Sequence, residues 1–305
     1  MDRCGIEVMA AVRPTGHVLQ VTQGKGMTRG EAQWSALGEA AELLSAERPD
    51  PSRLTFARGD DLDGLVLDDD GLRRAWIRGE RLSDGANVWV AAERVFCPPR
   101  GTHWLGPSTA PWSSNGYGAH VTQARALEHA VLEVWERHAL AEAIPDGWTP
   151  RVLEPSLVSW TPPLVTQLEA RGFTVVPCLL ARVPLPLAGV LLFDRDESSV
   201  PLTAGYACRR TPEEALTAAL LEAAQSRLTE IHGARDDVAT GVREHGASLR
   251  AALDRLEHRA LPAARAVKGW PREVSSQVVV VTTASAPLHV VKAIGLGLDE
   301  SELLR

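Results

Sequence analysis

The 305-residue chain is 45% hydrophobic and 23% charged, an ordinary globular composition with length enough for a large core. Its net charge of −7 argues against a nucleic-acid surface. The lack of an apolar run of about 18 residues, or of a basic-then-apolar leader, argues against a membrane span and leaves the cytoplasm as the expected location. Four cysteines lie far apart, without C-x-x-C or histidines at zinc spacing, so they read as reduced thiols.

Residues 5–13 and 17–21 read as short strands, separated by Pro14 and Gly16. They lead into Gly24-Lys25-Gly26, and Lys25 beside two glycines ahead of a helix can meet a phosphate. The loop is no P-loop, because GxxxxGK[ST] is absent. A helix over Trp34–Leu44 then carries Ser35, Glu39 and Glu42 at steps of four and three, on one side. Pro49–Pro111 differs in texture, with strand candidates at 53–58, 64–67, 75–78 and 87–91 among Asp/Gly turns. Trp76 and Trp89 are expected in the core, and Asp68-Asp69-Asp70-Gly71 reads as a hairpin turn, not a calcium loop. Pro98, Pro99 and Pro111 bound a linker, dividing one domain, 1–305, into parts 1–110 and 111–305.

The polar loop Trp112–His120, WSSNGYGAH, feeds the central helix. Its Ser114 and Asn115, beside Gly116 and Gly118, read either as a cradle for phosphate or ribose or as a capped turn. Over Ala126–Leu140 the helix is apolar on nearly every side, yet His129, Glu133 and Glu136 form a stripe along it with Arg137 adjacent. Helices apolar all round are buried, and buried carboxylates are costly unless paired or bound to a metal. After Trp148 come a helix at 161–171, strands at 174–181, 189–194 and 202–208, and a third striped helix, Glu214–Leu228. There Ala218, Glu222 and Gln225 hold the same offsets, with Arg227 close by. Cys208, ahead of Arg209 and Arg210, is the candidate reactive thiol. Gly233–Asp237 reads as a charged cluster or a helix cap, 248–257 as a peripheral amphipathic segment, and the chain closes with strands at 277–282 and 288–294, the latter carrying Lys292. Strands alternating unequally with helices predict an α/β or α+β fold with mixed sheets.

Oxygen-only ligands suit Mg²⁺ or Mn²⁺ rather than zinc, and Mg²⁺ on glutamates usually also holds phosphate oxygens. Lys25, Arg137, Arg227 and Lys292 would neutralise the rest of a nucleotide's charge. Spacing and burial thus predict an ATP·Mg²⁺ site on helix faces. The Glu133–Arg137 pair alone also reads as a plain i,i+4 ion pair.

SNGYGAH followed by LEHAVLEVWERHAL, the distal EEALTAALLEAAQSRLTEIHGARDD, and the earlier AVRP, QGKG, SALGEAAELLSAE and GERLSDGANVWVAAERV together resemble the YcaO family over roughly residues 3–298. The resemblance implies a YcaO fold and an enzyme of ribosomal-peptide modification that uses ATP to O-phosphorylate peptide backbone amides, giving a thioamide, an azoline or an amidine. By motif it places Lys25 and Ser35 on the nucleotide, Glu133, Glu136 and Glu222 on Mg²⁺ with Glu39 and Glu42 second, Arg137 on phosphate, and Gln225 in the same site. His129 stands where the family carries a serine, and Ala218 offers no side-chain contact there. A leader-binding domain ahead of the YcaO portion and a proline-rich tail are both missing from the sequence. The first absence implies a separate TfuA-like or leader-binding partner, and the second favours thioamide formation over azoline formation; homodimers are common in the family. A nucleotide-binding scaffold and a carboxylate–amine ligase are the alternatives.

Overall fold

The fold comes from a computed structural model that describes residues 2–109, 111–196, 200–232, 249–251, 253, 255–263 and 265–299. Gly233–Asp237 and residues 248, 252 and 254 lie outside the described residues, and within 248–257 Leu249 is buried in the main core rather than peripheral.

Three sheets carry the chain. The first is an antiparallel hairpin of β1 (Glu7–Val12) and β2 (Val21–Gly26). Its second strand runs through Gly24-Lys25-Gly26, so Lys25 is a strand residue opposite Val8 and not a loop lysine. The second sheet has seven strands: β3 (Leu54–Ala57), β4 (Leu65–Val66), β5 (Arg74–Arg81), β6 (Asn87–Ala91), β7 (Tyr117–His120), and the last two strands, β13 (Val278–Ala284) and β14 (His289–Gly295). Its order is β4-β6-β5-β13-β14-β7, with β3 also on β5, so strands from both sides of the 110/111 boundary share it. Trp76 and Trp89 are buried in it. Between β7 and β13 the chain adds β8 (Val158–Ser159), β9 (Phe173–Ala181), β10 (Leu187–Asp194), β11 (Leu202–Cys208) and β12 (Arg259–Ala260). β11-β10-β9 form the third sheet, antiparallel, and β8 pairs with β12.

Three long helices wedge between these sheets: α1 (Arg29–Glu47), α2 (Gln123–Ala143) and, after the short α3 (Pro150–Ser156) and α4 (Pro163–Ala170), α5 (Pro212–His232). α1 bridges the hairpin and the β7 edge of the large sheet, α2 the large sheet and β11, and α5 the third sheet and β2. The contacts close a ring of three strand–helix units.

Each unit is seated by a strand glycine on an alanine ridge of its helix. A Cβ on Gly24 would lie 2.0 Å from the Ala36 nitrogen, on Gly118 2.3 Å from the Ala126 oxygen, and on Gly205 2.2 Å from the Ala219 oxygen. Backbone therefore rests on backbone, and any larger residue would push the helix off its strand. Thr22 Oγ1 donates to the Ala36 carbonyl at 3.0 Å, and Thr203 Oγ1 to the Ala223 carbonyl at 2.9 Å, fixing the height of α1 and α5. Threonines start all three helices: Thr28 forms a capping box with Glu31, the carbonyl of Thr122 accepts from Ala126, and Thr211 Oγ1 accepts from Glu214 with Pro212 in the first turn.

Candidate nucleotide and cation site

Counting from those threonines, the helices share one pattern, T-x3-A-x3-A-x2-E-x2-[EQ]. It places Glu39, Glu133 and Glu222 at equivalent points, with Glu42, Glu136 and Gln225 one turn on. The strand ends meet them there. Glu39 Oε2 accepts from the Gln23 N–H at 3.0 Å, and Glu136 Oε2 from the Cys208 N–H at 2.9 Å. Glu42 accepts from the Ala119 N–H and Glu133 from that of Gly116. Gln225 donates to the Gln23 carbonyl at 3.1 Å, and Lys25 Nζ reaches Glu222 Oε2 at 3.2 Å. The second glutamates of α1 and α2, and Gln225 of α5, thus bond to the strand of the next unit.

The electrostatics follow from burial. Desolvation first, then the charges of Glu133 and Glu39, push Glu42 well above the usual carboxylate range. Burial also raises Glu133, partly offset by Arg137 and Lys292. Glu136 is raised to about 7, by burial and then by Glu222. These carboxylates face one another across a single cleft and repel. Among the described residues no three acidic, His or Cys side chains already enclose a metal ion as they stand. The donor set nonetheless fits a hard divalent cation: it is oxygen-only, its excess negative charge is what a cation would offset, and Mg²⁺ sites usually take further ligands from water and phosphate.

The other predicted residues divide. Arg137 Nη2 lies 3.6 Å from Glu133 Oε1, within the cleft, and Ser35 is exposed, one turn ahead of Glu39 on α1. His129 is half-exposed, with Nδ1 3.8 Å from Glu42 Oε1. Lys292 is 4% exposed and serves the loop beneath: its Nζ donates to the Ser113 carbonyl at 2.8 Å and to that of Asn115, beside the rings of Trp112 and Tyr117. Ser114 and Asn115 therefore belong to a turn closed on a lysine, with the Asn115 N–H on Ser113 Oγ at 3.1 Å. Arg227, predicted on the nucleotide, is buried elsewhere. It donates to Asp194 at 2.8 Å, to Asp2 at 3.1 Å and to the Val200 carbonyl at 2.5 Å, and covers the Phe173 ring. Cys208 is fully buried, and burial followed by Glu136 raises its thiol, so it is no reactive thiolate.

Arg209 is the residue that sequence reasoning missed. Its Nη1 donates to the Cys208 carbonyl at 2.7 Å and stands 4.0 Å from Glu136 Oε2, with 29% of the side chain exposed. The signal was two arginines directly ahead of a helix N-cap, where the helix dipole disfavours cations.

Fold and cleft together define a class: a mixed α/β protein whose helix-borne carboxylates are arranged for a cation-bound, phosphorylated ligand. The chain belongs to the YcaO family, whose model, described as YcaO cyclodehydratase, ATP- and Mg²⁺-binding, matches residues 23–294. An uncharacterized protein of Methanothermobacter thermautotrophicus is 33% identical over 269 residues, covering 78% of this chain and 65% of the relative. An uncharacterized protein in the tfuA 3′ region of Rhizobium leguminosarum bv. trifolii is 29% identical over 272 residues, 78% of this chain and 62% of the relative. The chain thus spans less than two thirds of the length of both. YcaO from Methanopyrus kandleri, solved with AMPPCP and Mg²⁺, shares the fold at a TM-score of 0.71, with 22% identity over 98% of this chain and 87% of that one. No helix of the described residues is long and apolar enough to cross a membrane.

Proposed function

We propose that this protein activates backbone amides of a ribosomally made polypeptide by ATP-dependent O-phosphorylation and that a sulfur nucleophile then displaces the phosphorylated oxygen, leaving a thioamide. The observation that carries the activation step is the face-to-face set of Glu42, Glu133 and Glu136, shielded from solvent and mutually repelling, with the half-buried Glu222 beside Glu136 and held by Lys25. ATP·Mg²⁺, when bound, supplies the phosphoryl group that turns the amide oxygen into a leaving group. Glu133 and Glu136 would hold the ion, Glu222 would complete its ligands from α5, and Glu39 and Glu42 would serve behind them. Lys25 and Arg137, with Arg209, would meet phosphate oxygens, and Ser35 and Gln225 border the nucleotide. The backbone N–H bonds to four of the carboxylates hold the set in place before the ligand arrives, so little reorganisation is needed at the moment of transfer.

Sulfur is favoured by the relative in the tfuA 3′ region, because the resemblance links TfuA-type partners with thioamide formation. The same link supports a separate TfuA-like partner for this chain. Azoline formation, by attack of a neighbouring Cys, Ser or Thr side chain, is the second reading and is favoured by the family's cyclodehydratase description.

The test is mass spectrometry of candidate precursor peptides incubated with the chain, its co-encoded partner, ATP, Mg²⁺ and sulfide. Exchange of one oxygen for sulfur is expected, and loss of one water would select azoline formation. Nucleotide binding with no mass change under any of these conditions would leave a scaffold instead. Glu133→Gln and Glu136→Gln should each abolish turnover with the fold retained, and full activity in both would remove the cation assignment.

A further inference from the structure

The large sheet carries a second cavity, outside the carboxylate cleft. β5 pairs with β13 only through Arg81↔Val279 and Glu80↔Val280, while its first half pairs with β3, from Ile77↔Leu54 to Arg74↔Ala57. The two neighbours diverge, and a cavity of about 160 Å³ opens at the split, with Val280 and Leu127 among its apolar walls and Arg53, Arg78, Glu80 and Gln123 among its polar ones. Leu127 projects from α2 roughly 180° round the helix from Glu136, so α2 itself separates this cavity from the cleft.

Its charges are unusual for this surface. Nearby Arg74, Arg81 and Arg94 each carry a carboxylate partner. Arg53 and Arg78 do not: among the described residues neither makes an ion pair. Arg53 is held by main-chain oxygens, Nη2 on Thr282 at 2.6 Å and Nη1 on Thr283 at 3.4 Å. Arg78 lies over the Trp89 ring at 4.3 Å. Both guanidinium groups are thus fixed in direction while keeping their charge, in a chain of net charge −7. Glu80, on the same face, pairs with neither.

The volume is well below the roughly 300–1,000 Å³ of pockets that take whole small molecules, which excludes a nucleotide and suits one side chain of a longer ligand. Two directed guanidinium groups match a carboxylate and outweigh the single charge of Glu80 in the lining, and the apolar walls match its aliphatic stem. We propose that this groove holds a single Asp or Glu side chain of the polypeptide whose amide the cleft activates, so that Arg53 and Arg78 select substrates by an acid remote from the reacting bond. The assignment of that polypeptide rests on the function proposed above.

Fluorescence anisotropy of the full chain without nucleotide tests the groove. The probes are fluorescein-labelled Gly-Ile-Glu-Val-Gly, its Gln counterpart and its Lys counterpart. The Glu peptide should bind at least about tenfold more tightly than the Gln peptide. Arg78→Glu should cancel that preference and turn it towards the Lys peptide, whereas Arg78→Gln should cancel it without reversal. Both variants should melt within a few degrees of the parent, since Arg78 is exposed. The Glu133→Gln protein should keep the preference, because the cleft is a separate place. Equal binding of Glu and Gln peptides, a preference untouched in Arg78→Glu, or its loss in Glu133→Gln would each overturn the groove. Inorganic phosphate that displaces the Glu peptide only where it also displaces the Gln peptide supports carboxylate recognition; selective displacement of the Glu peptide in the micromolar range would reassign the groove to phosphate. A Glu preference without any ATP-dependent mass change would sink the proposed activity and leave the groove standing, and the reverse result would do the opposite.

Discussion

Gln225 donates its side-chain amide to the main-chain oxygen of Gln23 at 3.1 Å, at the position where the equivalent residues Glu42 and Glu136 accept from main-chain N–H groups. The ring of units explains the difference. The Gln23 N–H is already taken by Glu39, so Gln23 can offer the last helix only its carbonyl, and a carboxylate there would meet another acceptor. An amide is the side chain of that shape able to donate.

Gln225→Glu should therefore destabilise the fold at pH 8 by about 1 kcal/mol, the low end for leaving an acceptor unpaired, because the Gln23 carbonyl is only partly buried. The introduced carboxyl would recover the bond only when protonated, so its folded pKa would lie above its unfolded value. That stability is present below the unfolded pKa and disappears as pH rises through the folded one. Urea unfolding at pH 5 and pH 8 should show a larger deficit at pH 8; equal deficits would refute the acceptor clash.

A related sign applies to Glu136, whose raised pKa of about 7 reflects burial first and Glu222 second. Its folded value exceeds the unfolded one, so the cation-free fold loses stability from about pH 4.5 up to about pH 7, by up to roughly 3 kcal/mol from this group. Glu136→Gln should then stabilise the cation-free protein at pH 8 while removing cation binding. Added Mg²⁺ should raise the parent's Tm more at pH 8 than at pH 6, because the ion competes with protons for the same oxygens. Calorimetry with and without Mg²⁺ at the two pH values checks both. A variant less stable than its parent at pH 8 would contradict the reading.

The glutamate stripes were legible because helical period and burial are local properties: an apolar helix with acids at steps of three and four marks a row of shielded carboxylates before any fold is known. The failures were of direction and partner. Arg227 follows Glu222 by five residues, which turns it roughly 140° away, towards Asp194 and Asp2. The charge of Lys292 was visible, but only folding shows that the carbonyls of Ser113 and Asn115 curl back onto it. The glycines flanking Lys25 suggest a loop, whereas they serve the contact of β2 with α1. The choice of Gln over Glu at position 225 depends on which strand closes the ring, and no local pattern encodes that.

Arg227 and Arg209 give a contrast that separates fold from chemistry. Arg227→Ala would leave buried Asp194 with Arg3 as its remaining ion-pair partner and should cost about 3 kcal/mol. Arg209→Ala, on a partly exposed side chain, should cost less than about 1 kcal/mol yet lower turnover by about a hundredfold if its guanidinium meets transferred charge. Denaturation and turnover measured on both variants should fall on opposite axes. A stable, fully active Arg209→Ala protein would remove Arg209 from the site.

The glycine seats carry the last prediction. A Cβ on Gly118 would sit 2.3 Å from the Ala126 oxygen and 2.7 Å from the Ala130 nitrogen, distances that backbone atoms cannot relieve by rotating a side chain. Gly118→Ala should push α2 outward and cost about 1–3 kcal/mol or more. Glu133 and Glu136 ride on that helix, so activity should fall further than the loss of folded protein accounts for. An exposed control is at hand in Gly30, in the first turn of α1, where an added Cβ meets nothing within 4 Å. Gly30→Ala should be neutral or stabilising by up to about 1 kcal/mol. Turnover per folded molecule, measured at a temperature where all three proteins are native, should drop in Gly118→Ala alone. Equal turnover across the three would mean that the carboxylates do not depend on the seat.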